Sequence, residues 1–149
     1  MKSSLEHLRQ QLSMLENSYS PRLQSAVLFA VEAGQQTLNR FQDSQLEVET
    51  KDDRSPVTAA DTDAESLLRE RIAAAFPDDS ILGEEFEDVQ GTSGYRWIID
   101  PIDGTKSFIS GVPLYATLVG IEFQGESQIG VIYMPAIDEL IFAQTGQGV

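Results

Sequence analysis

Leu5, Leu8, Leu12 and Leu15 recur at alternating three- and four-residue spacing. The pattern predicts a short N-terminal helix with one apolar stripe, laid against the body of the domain or serving a docking or oligomer contact. His7 falls on the polar side of that stripe. Ser20-Pro21 fits a helix start, because proline is tolerated in the first turn. Leu23, Val27, Ala30, Val31, Gly34, Leu38 and Phe41 then keep helical periodicity, predicting a long core helix that Asp43 and Ser44 end, with Gly34 as a close-packing point. Leu46 to Thr50 alternates apolar with polar as a half-buried strand does.

Lys51 to Pro56 is a charged turn leading to Val57-Thr58-Ala59-Ala60-Asp61. Thr62 and Glu65 form a capping-box pattern ahead of Leu67, Leu68, Ile72 and Phe76, so the next helix is expected to begin near Thr62. Asp61 then stands at or just before a helix N-terminus, either as a cap or as a functional carboxylate. Phe76-Pro77-Asp78-Asp79 closes this helix, and Ser80 to Gly83 reads as a short strand delivering Glu84-Glu85. Two acids in that place are either solvated charge or part of a site. Glu87 to Gly94 is a polar, Gly-containing loop, a lid or a plain connection. Tyr95 to Ile99 is a strand, Thr105 to Ile109 a short helical turn, and Gly111-Val112-Pro113 a break. Thr117 to Phe123, Gln128 to Met134 and Glu139 to Thr145 predict three strands, and their short connections at Gln124 to Ser127 and Pro135 to Asp138 make an antiparallel meander. The turn at Thr145 to Gly148 leads one to expect a further strand.

Composition narrows the function. The 149 residues are 41% hydrophobic, enough for one domain with a core. Ten basic against 24 acidic residues give a formal net charge of −14, which argues against a general nucleic-acid or anionic-membrane surface. A phosphate ligand then needs a local positive charge, which a divalent metal supplies. With no cysteine and a single histidine, thiolate and histidine-based mechanisms are disfavoured. No run approaches the roughly 18 apolar residues of a membrane span. Glu6 and Glu16 sit where a signal or transit peptide avoids acids, so a cytoplasmic protein is expected.

The candidate chemistry concentrates in Trp97-Ile98-Ile99-Asp100-Pro101-Ile102-Asp103-Gly104-Thr105. An apolar strand runs into two carboxylates three positions apart, followed by Gly-Thr. Pro101 lacks an N–H and biases Asp100 away from the helical region, so the strand is expected to end there and turn. If Ile102 points inward, Asp100 and Asp103 converge on one small volume, where they repel unless protonated or bridged by a hard cation such as Mg²⁺. Gly104 allows close approach of backbone to a ligand, and a helix starting there offers free N–H groups to an anion.

Taken together, Ser55-Pro56-Val57-Thr58 with Asp61, Glu84-Glu85, and Asp100 to Thr105 resemble the inositol monophosphatase family of Mg²⁺-dependent, lithium-sensitive phosphatases, from about residue 23 onward. The resemblance implies an α+β fold: the N-terminal half of a layered α/β/α/β/α sandwich shared with fructose bisphosphatases, with long helices packed on a mainly antiparallel sheet. Residues 1–19 would be an extra helical segment and 20–149 the metal-binding N-terminal domain, the C-terminal half being absent, whether as a fragment or as a natural truncation.

The resemblance also implies roles. Glu84, Asp100 and the carbonyl of Ile102 would bind the Mg²⁺ that activates water, and Asp100 with Asp103 would reach a second ion. Thr105, paired with Asp61, would orient the attacking water, and the backbone of Gly104 and Thr105 would hold the phosphate. Glu85 and Lys51 match residues around the metals. Thr105-Lys106-Ser107-Phe108 with Gly111 to Tyr115 is most similar to the histidinol-phosphate phosphatases of this fold. The expected function is hydrolysis of a small phosphorylated metabolite by two metal ions, first histidinol phosphate, then inositol phosphates, other sugar phosphates or bisphosphate nucleotides. Family members are often homodimers. A reading of another class is an inactive fragment that binds metal or another chain, and little activity is expected from these 149 residues alone.

Overall fold

The computed structural model describes residues 2–14, 18–52 and 56–149. Helix α1 (Lys2–Met14) precedes the long α2 (Pro21–Leu38), which Ser20 caps by accepting the Leu23 N–H. Of the predicted stripe on α1, Leu8 packs against the core. The side chains of Leu5 and Leu12 lie outside the described residues, as do Leu15 and, in the charged turn, Asp53, Arg54 and Ser55. Strands β1 (Val48–Thr50) and β2 (Pro56–Thr58) pair antiparallel, and β2 leads directly into α3 (Ala59–Ala75). β1 is exposed at all three residues, so the half-buried strand expected over Leu46 to Thr50 is shorter and lies on the surface.

The helix expected near Thr62 begins at Ala59, with Thr58 as its N-cap. Asp61, not Glu65, is the acid of the capping box: its Oδ2 accepts both the N–H (2.8 Å) and the hydroxyl (2.6 Å) of Thr58. An acid in the first turn also suits the positive end of the helix dipole.

Strands β3 (Ser80–Leu82), β4 (Tyr95–Asp103), β5 (Ala116–Phe123), β6 (Glu126–Met134) and β7 (Glu139–Gln144) form one sheet in that order. β3 is parallel to β4, and the other pairs are antiparallel. The meander is as expected, although its first connection tightens to Gln124-Gly125, both at positive φ (51° and 85°), as a two-residue hairpin on twisted strands requires.

Helices α2 and α3 pack against each other and cover one face of the sheet. That layer buries Leu23, Val27, Leu68 and Ile72 against Trp97, Ile99, Val119, Ile121 and Val131. Gly34 is the close-packing point expected of it, since a Cβ there would lie 2.5 Å from the Tyr133 ring. On the other face the register aligns Asp100, Leu118, Ile132 and Ile141 in one row, with Ile132 42% and Ile141 51% exposed. The loop from Glu87 to Gly94 is a plain connection: Val89 exchanges backbone bonds with Ile81, and the N–H groups of Thr92 and Ser93 reach the Asp78 carbonyl.

Contrary to the expected stop at Asp100, β4 passes through Pro101 to Asp103. Pairing runs from Asp100↔Leu118 to Asp103↔Ala116, so three steps on β4 oppose two on β5. This bulge accommodates a proline because it leaves ladder groups unpaired. The freed Pro101 carbonyl is satisfied by the Thr117 hydroxyl at 2.9 Å.

Asp79 fastens the entry to β3 and β4. It is almost wholly buried, accepts two bonds from Arg22 (both 2.9 Å) and further bonds from Ser93 Oγ (2.6 Å) and Trp97 Nε1 (2.8 Å). The Arg22 guanidinium lies over the Tyr95 ring, 3.6 Å from its centroid. Burial alone would raise the Asp79 pKa, but the bonds from Arg22, Ser93 and Trp97 outweigh it and hold the carboxyl below its ordinary value. Its contribution to stability is therefore present above the unfolded pKa and lost as pH falls through the folded one. Asp79→Asn should cost about 3 kcal/mol, the scale for breaking a buried pair, read as a fall in denaturation midpoint near neutral pH.

Candidate metal and phosphate site

The bulge gathers the chemistry at the end of β4. Ile102 is buried and anchors the turn, leaving Asp100 half-buried and Asp103 exposed. Asp100 Oδ1 accepts the Ile102 N–H (3.2 Å). Gly104 then takes a left-handed conformation, φ 89° and ψ 43°, which glycine adopts without a Cβ penalty, and α4 (Thr105–Ile109) starts at the next residue. The Thr105 hydroxyl shares its hydrogen between the Ile102 carbonyl (3.1 Å) and Asp61 Oδ1 (3.2 Å). Asp61 is therefore both a cap and a partner of the turn: Oδ2 serves its own helix and Oδ1 reaches 44 residues along the chain.

Glu84 and Glu85 follow β3, which lies beside β4. Lys51 donates to Glu85 Oε1 at 2.6 Å. Burial opposes the charge on Lys51, yet Glu85, Glu84 and Asp61 together raise its pKa. Glu85 is also raised, because burial and the neighbouring Asp61 and Glu65 outweigh its bond to Lys51. The rise is large at Asp100, which burial first, then Glu84 and Asp103, push up to about 7, with Asp61 adding to the effect and only the Ile102 N–H opposing it.

Among the described residues, no three carboxylates, histidines or cysteines are gathered closely enough to close a coordination shell unaided. The donors nevertheless fit a hard divalent cation in kind and in charge: they are all oxygens, and their mutual repulsion is what such an ion relieves. A concavity of about 520 Å³ lies beside β6, β7 and the last residues, from Ser127 to Val149.

The sequence profile of the inositol monophosphatase family matches residues 18–149. The chain belongs to the inositol monophosphatase family. It is 50% identical over 129 residues to a histidinol-phosphatase of Chlorobaculum parvum, covering 87% of this chain and 50% of that one. It is 44% identical over 104 residues to an inositol-1-monophosphatase of Rhizobium meliloti, covering 69% and 39%. The crystal structure of the extragenic suppressor protein suhB from Bartonella henselae superposes with a TM-score of 0.83 at 35% identity, over 87% of this chain and 51% of that one. The chain thus spans about half the length of the curated relatives it matches. No helix among the described residues is long and apolar enough to cross a membrane.

For this inositol monophosphatase family chain, the structure brings Asp61 to Thr105, Lys51 to Glu85, and the Ile102 carbonyl to Thr105. Glu84 and Asp103 act on Asp100 through charge, with no direct bond to it. Glu65, expected in a capping box, instead accepts the N–H groups of Glu84 and Glu85 on Oε2. Its spacing, one helical turn after Asp61 on the same face, was the available signal.

A carboxyl raised in the folded state binds a proton that the unfolded chain has already lost, so stability falls as pH rises from about 4 to about 7. In chelator-treated protein, Asp100→Asn keeps the acceptor for the Ile102 N–H and removes the charge. Its melting temperature should exceed that of the parent at about pH 8 and match it below about pH 4, as measured by thermal unfolding.

Proposed function

We propose that this chain is the water-activating half of a Mg²⁺-dependent phosphate monoesterase. The observation that carries the reading is the Asp61–Thr105 pair, set across the bulge from Asp100 and beside the turn at Gly104. Glu84, Asp100 and the Ile102 carbonyl would hold one ion, and Asp100 with Asp103 a second. When bound, magnesium would lower the pKa of the attacking water, offset the phosphate charge and stabilise the departing alkoxide.

The chain's own residues supply orientation and a proton route. Asp61 Oδ1 draws the Thr105 hydrogen toward itself, which turns an oxygen lone pair outward. A water at that lone pair would donate its proton to Thr105 Oγ as the Thr105 hydroxyl proton passes to Asp61 Oδ1, leaving hydroxide to attack and one proton on Asp61. The backbone of Gly104 and Thr105 would hold the phosphate, since the first N–H groups of α4 have no partners within the helix. Lys51 limits the local negative charge that would otherwise repel a phosphate dianion. The substrate is a small phosphorylated alcohol. Histidinol phosphate is favoured because the relative at 50% identity is a histidinol-phosphatase, as are two others at 40% and 41%. An inositol phosphate is the second reading, supported by the relative at 44% identity.

The test joins this chain to the C-terminal half of the Chlorobaculum parvum relative and measures phosphate release in millimolar Mg²⁺. Histidinol phosphate should be hydrolysed with higher kcat/KM than inositol 1-phosphate. Asp103→Asn should abolish turnover, and Thr105→Ala should lower kcat by about 100-fold, the scale of losing a positioned proton relay. Absence of turnover on any small phosphate monoester would overturn the reading.

A further inference from the structure

Glu65 is completely buried on α3, and its carboxylate is spent on backbone. Oε2 accepts the N–H groups of both Glu84 (3.0 Å) and Glu85 (2.8 Å). Oε1 accepts Arg69 Nε at 2.8 Å, and the two remaining nitrogens of that guanidinium hold the carbonyls of Glu87 (2.9 Å) and Phe86 (3.1 Å). The four residues from Glu84 to Glu87 are thus gripped by one ion pair through two donors and two acceptors. The approach is so close that Gly83 has no room for a side chain: a Cβ there would lie 2.2 Å from Glu65 Oε1 and 2.8 Å from an Arg69 nitrogen.

This is a costly way to hold a loop. A desolvated carboxylate stands beside a cluster already crowded with negative charge, where a neutral acceptor would be cheaper electrostatically. What a carboxylate offers is two adjacent amides clamped by one oxygen, with orientation set by a planar Arg fork. Asp61 lies one turn earlier on the same helix face and grips Thr105. A single helix therefore sets the places of both Glu84 and Thr105, which follow the C-terminal ends of the parallel strands β3 and β4.

We propose that Glu65 is a positioning residue of the metal site: through its bonds to the Glu84 and Glu85 amides, backed by Arg69, it presents Glu84 to a divalent cation. The proposal rests on the phosphatase reading above. A merely structural Glu65 would affect stability alone, so the readout is affinity for metal. In Glu65→Gln the amide NH₂ must face either Arg69 or the two loop amides, donor against donor, and the grip is lost.

The experiment titrates the 149-residue chain with Mn²⁺ alone and counts free Mn²⁺ by electron paramagnetic resonance. Glu65→Gln should bind Mn²⁺ about tenfold or more weakly, the usual effect of losing a group that orients a ligand. Ile72→Val, a core change on the same helix, should lower the melting temperature and leave affinity unchanged. If Glu65→Gln does not fold, Arg69→Lys decides: it keeps the charge and loses the fork, and weaker Mn²⁺ binding is again expected. Unchanged affinity in a folded Glu65→Gln or, failing that, in Arg69→Lys overturns the proposal and leaves the phosphatase reading standing. Failure of the unmodified chain to bind Mn²⁺ removes the metal reading itself, and this proposal with it.

Discussion

Desolvated negative charge must be compensated or relieved, and this chain handles four carboxylates in two ways. Asp61, Glu65 and Asp79 are buried and fully employed, accepting from hydroxyls, backbone amides, an indole and guanidinium groups. Asp100 is half-buried, and among the described residues it has one backbone donor and three repelling neighbours. The first three knit the fold together. The fourth is left among like charges, which together with its burial holds its carboxyl well above the ordinary range.

The three employed carboxylates lie where elements meet. Asp79 ties the start of α2 to the entry of β4, Glu65 ties α3 to the end of β3, and Asp61 ties α3 to the turn after β4. The helix layer is thereby bonded to the sheet at the strand ends, where hydrophobic burial alone leaves register free. Between those points the core is apolar, with Trp97 and Ile99 of β4 packed under α2 and α3. The strand that carries Asp100 is therefore held along its length by packing and at its ends by charge. That rigidity allows half-buried acids to persist side by side.

The bulge at Pro101 gives β4 its functional shape. Had the strand stopped at Asp100, Asp103 and Gly104 would have belonged to a loose connection. Because it continues, the Thr117 hydroxyl takes up the Pro101 carbonyl and Ile102 seats in a small second core with Ala60, Phe108 and Tyr115. Ala60 precedes Asp61 on α3, so packing that seats Ile102 also brings Asp61 within reach of Thr105.

Much of this was legible in the residues. Helical periodicity located α2, short connections implied the meander, and the run from Asp100 to Thr105 marked two carboxylates beside a Gly-Thr turn, because these signals are completed within one turn of chain or one strand. Assignments that depended on contact went astray. The α3 start moved from Thr62 to Ala59 because Asp61 and Glu65 both fit a capping pattern, and only packing showed that Glu65 was needed by the loop at Glu84. The strand from Leu46 shortened and came to the surface because alternation signals a face, not what covers it. By itself the sequence determined the elements and the chemistry of the donors. Tertiary structure decided which acids are satisfied and which is not, since a hydrogen bond spanning 44 residues, as between Asp61 and Thr105, exists only once the register of helix on sheet is set.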